Sequence, residues 1–144
     1  MFIDGKWVES RSGETFEVFN PATGASLATV PSGNADDATA AIDAASNAFA
    51  DWSATTAYER SRLLYRSWEI MTERSEDLAQ LMTAEQGKPL RAARAEVKYA
   101  ADFLIWFAEE AKRVTGEWLP SQRADQRFLS VKAPVGVVAA ITPW

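Results

Sequence analysis

The 144-residue sequence contains no cysteine and no histidine. These absences exclude a thiol nucleophile, an imidazole general base and the usual Cys/His zinc sites from these residues. Its seven glycines, at positions 5, 13, 24, 33, 87, 116 and 136, have no spacing typical of a dinucleotide fingerprint or a phosphate loop. If the protein binds a nucleotide, the phosphate site lies outside this sequence, or only one edge of the pocket lies within it.

Strong positive charge and long apolar runs are also missing. The formal net charge is -5, and no basic cluster is longer than a couple of residues, which argues against a nucleic-acid partner. The longest apolar runs fall far short of a bilayer span, and the first residues lack the basic and apolar regions of a signal peptide. We therefore expect a cytoplasmic protein with no membrane partner.

The first thirty residues predict short antiparallel strands. Asp4-Gly5 separates two short apolar pieces, and this dipeptide is a strong signal for a two-residue hairpin turn. Residues 16–19 and 25–30 are further strand candidates. The turn residues Asn, Pro and Gly between positions 20 and 24 would join them.

The middle of the chain predicts a layer of helices. Apolar residues recur every three or four positions after Asn34, which could cap the first helix, as could Asp36. Thr56-Ala-Tyr-Glu59 is a capping box for the second helix, and the third runs from Ser75 to a stop at Gly87. The fourth is predicted from about residue 90 to residue 115. Its expected apolar face consists of Val97, Ala101, Leu104, Ala108 and Ala111.

The last residues predict strands. Residues 128–132 alternate apolar and polar side chains, as a half-exposed strand does, and a plain surface hairpin is one interpretation of them. Residues 131–144 form a nearly continuous apolar run, which is typical of a strand buried on both faces of a parallel sheet. No upstream segment supplies matching buried strands with crossover helices, so we expect that sheet beyond residue 144.

Three motifs occur in a distinctive order after an Asp-Gly-Lys-Trp start at residue 4. They are Glu-Gln-Gly-Lys-Pro-Leu at 85–90, Trp-Phe-Ala-Glu-Glu-Ala-Lys-Arg-Val at 106–114, and Ile-Thr-Pro-Trp at 141–144. This combination resembles the aldehyde dehydrogenase superfamily, and among its members the succinate-semialdehyde dehydrogenases. The resemblance covers essentially the whole chain. It implies an α/β fold, present only as its N-terminal part: short antiparallel hairpins, a helical layer and the first strand of the cofactor-binding sheet.

The resemblance also implies a division of the chain into three segments with different places in the fold. Residues 1–119 would form the N-terminal part of the NAD(P)-binding domain, residues 120–134 the start of an oligomerisation hairpin, and residues 135–144 the truncated first core strand. By the same resemblance, the full-length protein would be a homodimer or a homotetramer.

The resemblance implies that Ile141, Thr142, Pro143 and Trp144 line the channel for the nicotinamide and its ribose. Independently, Pro143 would end a strand ladder at the carboxyl end of a parallel strand, where ligands bind in open α/β sheets. A Trp that follows an apolar strand is alternatively an ordinary core residue.

The fourth helix borders the substrate tunnel in the family. Tyr99 and Phe103 lie four residues apart on it, so they share a face and could form an apolar wall for a small aldehyde. The alternative is that they pack against a neighbouring helix. Arg91 and Arg94 are interpreted as surface charges of the helix. We assign no catalytic residue and no metal ligand.

The expected function is that of an N-terminal segment of an NAD(P)-dependent aldehyde dehydrogenase, acting on succinate semialdehyde or a similar small semialdehyde. In the family mechanism a cysteine thiolate attacks the aldehyde, hydride passes to the nicotinamide, and a glutamate-activated water hydrolyses the thioester. That cysteine, that glutamate and an oxyanion-binding Asn lie outside this sequence, so the segment alone is expected to be inactive. The choice between NAD and NADP stays open. The alternative is a non-enzymatic truncated paralogue, or a helical interaction module that docks to a full-length dehydrogenase.

Overall fold

The computed structural model describes residues 1–142. Its elements in chain order are β1 (Phe2–Ile3), β2 (Lys6–Trp7), β3 (Thr15–Phe19), β4 (Ser26–Pro31), α1 (Ala35–Ala54), α2 (Ala57–Glu73), α3 (Ser75–Gln86), α4 (Leu90–Glu110), a 3-10 turn (Ala111–Arg113), β5 (Glu117–Leu119) and β6 (Phe128–Ser130). The strands form three separate antiparallel pairs, β1 with β2, β3 with β4, and β5 with β6.

The two N-terminal hairpins confirm the sequence prediction. In the turn between β1 and β2, Asp4 has φ 51° and Gly5 has φ 73°. Two consecutive positive φ angles define the turn type whose twist matches that of paired strands. The second hairpin pairs Thr15 with Pro31, and Asn20 Oδ1 stabilises its turn by accepting the backbone N–H of Ala22 at 2.9 Å.

A buried carboxylate joins this hairpin region to α1. Asn34 caps the helix, because its side chain accepts the backbone N–H groups of Asp36 and Asp37. Asp37 is buried and accepts three hydrogen bonds, from Ser10 Oγ at 2.8 Å and from the backbone N–H groups of Arg11 and Asn34, each at 3.0 Å. These bonds hold the segment before β3 against the first turn of α1.

The ends of the next helices follow local sequence signals. The predicted capping box of α2 is present, with Thr56 and Glu59 each accepting a backbone N–H of the other residue. Gly87 ends α3 at φ 71°, in the left-handed region that favours glycine. A Cβ atom at Gly87 would also lie 3.1 Å from Cγ of Pro21, so a side chain would be crowded there.

The core is a seam of small side chains where α4 packs against α2 and α3. The buried hydrophobic residues of the described chain are all Ala or Val: Ala79, Ala93, Val97, Ala101 and Ala108. Larger side chains close the seam at its edges, namely Met71, Leu78, Met82 and Leu90. Small residues at this contact allow the helix axes to lie close together, so the predicted apolar face of α4 is the face that packs.

The region after α4 differs from the prediction. The helix ends at Glu110 and tightens into a 3-10 turn, rather than continuing to residue 115. The helical backbone stops altogether at Val114, whose ψ of 79° lies outside the helical region. The following hairpin begins at Glu117. Its first strand, β5, therefore precedes residue 120, where the oligomerisation hairpin was predicted to start. Gly116 permits the two strands to close, because a Cβ atom there would collide with the carbonyl oxygen of Ser130.

The apolar segment after β6 forms no strand between residues 131 and 142. Val135 and Ile141 are almost fully exposed. A strand requires ladder hydrogen bonds from a neighbour, and the strands described in residues 1–142 pair only with one another. The predicted core strand over residues 135–144 is therefore not formed in the described part of this segment, and its place in a cofactor-binding sheet stays a prediction.

Replacement of Asp37 by Asn tests the link between the hairpin region and α1. The backbone hydrogen bonds from Arg11 and Asn34 hold the pKa of Asp37 below its ordinary value of 3.8. A lowered folded-state pKa stabilises the fold above the unfolded pKa, and this stability is lost as the pH falls through the folded pKa. In the protein produced from its complete gene, Asp37→Asn should therefore speed amide hydrogen exchange in residues 10–14 several-fold at pH 7.

The difference between Asp37→Asn and wild type should begin to shrink below pH 3.8, the ordinary pKa of this carboxyl, and should disappear as the pH falls through the lower folded-state pKa of Asp37. The matched control is Asp36→Asn, because Asp36 is the adjacent acid in the first helical turn and is exposed. Equal exchange in the two variants at pH 7 would contradict the assigned role of Asp37.

Candidate functional site

A shallow, open apolar depression lies along the exposed side of α4. Its lining residues, which we call the α4 cleft, are Tyr99, Asp102, Phe103, Trp106 and Phe107. Their spacing of three and four places them on one side of the helix, opposite the alanine seam. The prediction that Tyr99 and Phe103 share a face is therefore confirmed. The same spacing of three and four places Asp102, Trp106 and Phe107 on this face, and that spacing was already visible in the sequence.

The aromatic rings of the α4 cleft contact one another. Tyr99 and Phe103 meet edge to face, with ring centroids 4.9 Å apart, and Phe103 and Phe107 are nearly parallel at 6.3 Å. Tyr99 is 65% exposed and Phe103 is 46% exposed. Because both rings lie on the outer side of α4, the structure does not favour the alternative that they pack against a neighbouring helix. Their place in a substrate tunnel stays a prediction.

Ion pairs flank this side of α4. Lys98 Nζ lies 2.7 Å from Oδ2 of Asp102, one helical turn along. Arg94 donates from Nε and Nη2 to the two carboxylate oxygens of Glu76 on α3, both at 2.8 Å. This fork lowers the pKa of Glu76 to about 2 and raises that of Arg94. Arg94 is exposed, as predicted for a surface charge, and it also ties α3 to α4.

The predicted cofactor-binding residues lie in the C-terminal segment. Ile141 is 99% exposed and Thr142 is exposed, whereas Pro143 and Trp144 lie outside the described residues. The preceding residues, 132–138, pass the junction of α1 and α2 beside Phe49 and Trp52. The cavity at this junction shares no lining residue with the α4 cleft. The structure thus does not join the two predicted parts of the site.

The segment offers a restricted set of side chains for chemistry. The sequence supplies no thiol and no imidazole, and no group of three or more acidic side chains within residues 1–142 could hold a metal ion. In the same range, no helix has the length and apolarity needed to cross a membrane. The α4 cleft presents exposed aromatic side chains, and the Lys98–Asp102 ion pair lies at its edge.

The chain belongs to the aldehyde dehydrogenase family, whose pattern matches residues 7–144. It is 50% identical over 142 residues to the NADP(+) succinate-semialdehyde dehydrogenase GabD of Escherichia coli K12, covering 99% of this chain and 30% of that protein. It is 54% identical over 143 residues to a 3-sulfolactaldehyde dehydrogenase of Pseudomonas putida, covering 99% of this chain and 29% of that protein.

Solved structures of the same family share this fold. The chain superimposes on succinate-semialdehyde dehydrogenase from Burkholderia pseudomallei with a TM-score of 0.90 and 49% identity, over 94% of this chain and 28% of that one. A betaine aldehyde dehydrogenase variant from Staphylococcus aureus in complex with NAD+ gives a TM-score of 0.82 at 34% identity, over 88% of this chain and 26% of that one.

The matched region defines which part of the fold is present. The chain spans about 30% of the length of the curated relatives it matches. Its short antiparallel strands and helices correspond to the N-terminal part of the α/β fold of aldehyde dehydrogenases. The family assignment made from the three sequence motifs is confirmed.

Proposed function

We propose that this chain is the N-terminal segment of an NAD(P)-dependent aldehyde dehydrogenase that oxidises succinate semialdehyde, or a similar small semialdehyde, to the carboxylic acid. The observation that carries this proposal is the identity of about half of all positions, along nearly the whole chain, to enzymes named for aldehydes that bear an acidic group. The catalytic cysteine and the glutamate base would come from residues outside this segment. The segment itself would be inactive.

The α4 cleft would supply one wall of the substrate tunnel. Tyr99 and Phe103 present exposed aromatic surface at the spacing of one helical turn. Mostly apolar walls with few polar groups are typical of small-molecule sites. In this role the two rings bind and orient the carbon chain of the aldehyde and exclude water from it.

The segment Ile141, Thr142, Pro143 and Trp144 would border the nicotinamide and its ribose. The exposed aliphatic side chain of Ile141 could contact the face of the nicotinamide ring. Thr142 is also exposed, and its hydroxyl could form a hydrogen bond with the ribose or the amide group. A bound NAD or NADP would supply the hydride acceptor. A relative named for NADP(+) and a neighbour in complex with NAD+ support both cofactors.

The β5–β6 hairpin would contribute to contacts between subunits of a homodimer or homotetramer. Trp118 on β5 and Leu129 on β6 lie opposite each other and are both exposed. Exposed apolar side chains on a two-stranded hairpin favour pairing with another surface. A cytoplasmic location is part of the same proposal.

A second candidate function is a non-enzymatic interaction module that docks to a full-length dehydrogenase. The observation in its favour is the large apolar surface outside the α4 cleft, which includes Ile42 and Trp52 on α1 and Leu63 on α2. Surfaces of this kind commonly mark contact with another protein. The enzyme assay below separates the two functions.

The protein produced from the complete gene should oxidise succinate semialdehyde with NAD+ or NADP+. We expect a kcat/KM on the order of 10⁴ M⁻¹s⁻¹ or more, measured as formation of the reduced nicotinamide. The 144-residue chain alone should form none. No reduced nicotinamide from the complete gene product with any small aldehyde would contradict the proposed enzyme and favour the interaction module.

Phe103→Ala should raise the KM of the same enzyme for succinate semialdehyde by about tenfold. The variant removes apolar contact worth roughly 1–2 kcal/mol, and tenfold corresponds to 1.4 kcal/mol. Phe16→Ala is the matched control, because Phe16 is also an exposed phenylalanine but lies on β3. An unchanged KM for Phe103→Ala, or an equal rise in KM for both variants, would contradict the assignment of Phe103 to the substrate tunnel.

A further inference from the structure

The α4 cleft contains one charged side chain among the described residues that line it, the carboxylate of Asp102. The other lining residues are aromatic. Lys98 donates from Nζ to Oδ2 of Asp102 at 2.7 Å. The charge that a ligand meets in this cleft therefore depends on how completely Lys98 offsets Asp102.

The two charged groups face different surroundings. Asp102 lines both the α4 cleft and a neighbouring groove between α2, α3 and α4, whereas Lys98 lines only the groove. The groove is also lined by the ion pair of Glu76 with Arg94. Lys98 thus reaches Asp102 from the groove, and the aromatic rings lie on the other side of the carboxylate. The side chains of Lys98 and Asp102 are 75% and 54% exposed, so little packing holds them together.

We propose that the Lys98–Asp102 ion pair determines the charge selectivity of the α4 cleft. Asp102 repels an aldehyde that carries an anionic group at its far end, and Lys98 offsets this repulsion. An uncharged aldehyde of the same length is unaffected by either residue. This inference rests on the proposed function and adds to it a pair of specificity-determining residues.

The electrostatic effect has a definite sign and size. A single unit charge near a substrate carboxylate, in a site open to salt water, changes binding by about 2- to 10-fold. Removing Lys98 leaves a net negative charge beside the cleft, and removing the charge of Asp102 leaves a net positive one. The two substitutions must therefore change selectivity in opposite directions.

The test compares succinate semialdehyde with butanal, an uncharged aldehyde with the same number of carbon atoms, in the enzyme produced from the complete gene. The measured quantity is the ratio of kcat/KM for the anionic aldehyde to kcat/KM for the neutral one. Lys98→Met should lower this ratio about 2- to 10-fold, and Asp102→Asn should raise it by a similar factor. The double variant should return close to the wild-type ratio.

The control is Glu110→Gln, which breaks the exposed ion pair between Glu110 and Arg113 at the end of the same helix. It should leave the ratio unchanged. At about 1 M salt, where the Debye length is roughly 3 Å, the effects of Lys98→Met and Asp102→Asn should largely disappear.

Two failures are distinguishable. If wild type oxidises both aldehydes and neither Lys98→Met nor Asp102→Asn shifts the ratio by twofold, the proposed selectivity is wrong and the proposed enzyme stands. Equal losses on both aldehydes also overturn the selectivity, since they indicate a structural role for the pair. If wild type oxidises neither of these nor any other small aldehyde, the proposed function itself is wrong, and the inference is overturned with it.

Discussion

The close packing of α4 against α2 and α3 is the constraint on which the rest of the structure depends. Ala93, Val97 and Ala101 carry small side chains at this contact, and a larger residue at any of them would force the helices apart. Because an α-helix repeats every 3.6 residues, fixing one side of α4 against its neighbours also fixes the opposite side toward the outside. The aromatic rings of the α4 cleft are therefore presented by the same contact that forms the core.

Charged groups reinforce this arrangement at its edges. The Arg94–Glu76 fork ties α4 to the first turn of α3, and Asp37 ties the start of α1 to the segment before β3. Both carboxylates have lowered pKa values because hydrogen-bond donors surround them. Each group therefore stabilises the fold at neutral pH and ceases to do so in acid, while the apolar seam is insensitive to pH.

The sequence was sufficient for several features that depend on neighbouring residues. The positive-φ turn at Asp4-Gly5, the Thr56 capping box and the stop at Gly87 all follow from local chemistry, and each was predicted. Two features that depend on distant residues were not predicted. Strand β5 exists because β6 pairs with it, and the buried role of Asp37 depends on Ser10, twenty-seven residues earlier. The sequence of segment 131–142 is typical of a buried strand. A strand needs a neighbouring strand for its backbone hydrogen bonds, and none of the strands described in residues 1–142 pairs with this segment.

The central claim is that this segment contributes two borders of one dehydrogenase site, the α4 cleft and the residues from Ile141 onward. The most direct test is a crystal structure of the protein from its complete gene with a nicotinamide dinucleotide and succinate semialdehyde. The account predicts that Tyr99 and Phe103 contact the aldehyde chain and that Ile141 and Thr142 contact the nicotinamide or its ribose. A complex in which the α4 cleft faces bulk solvent, away from both ligands, would contradict it.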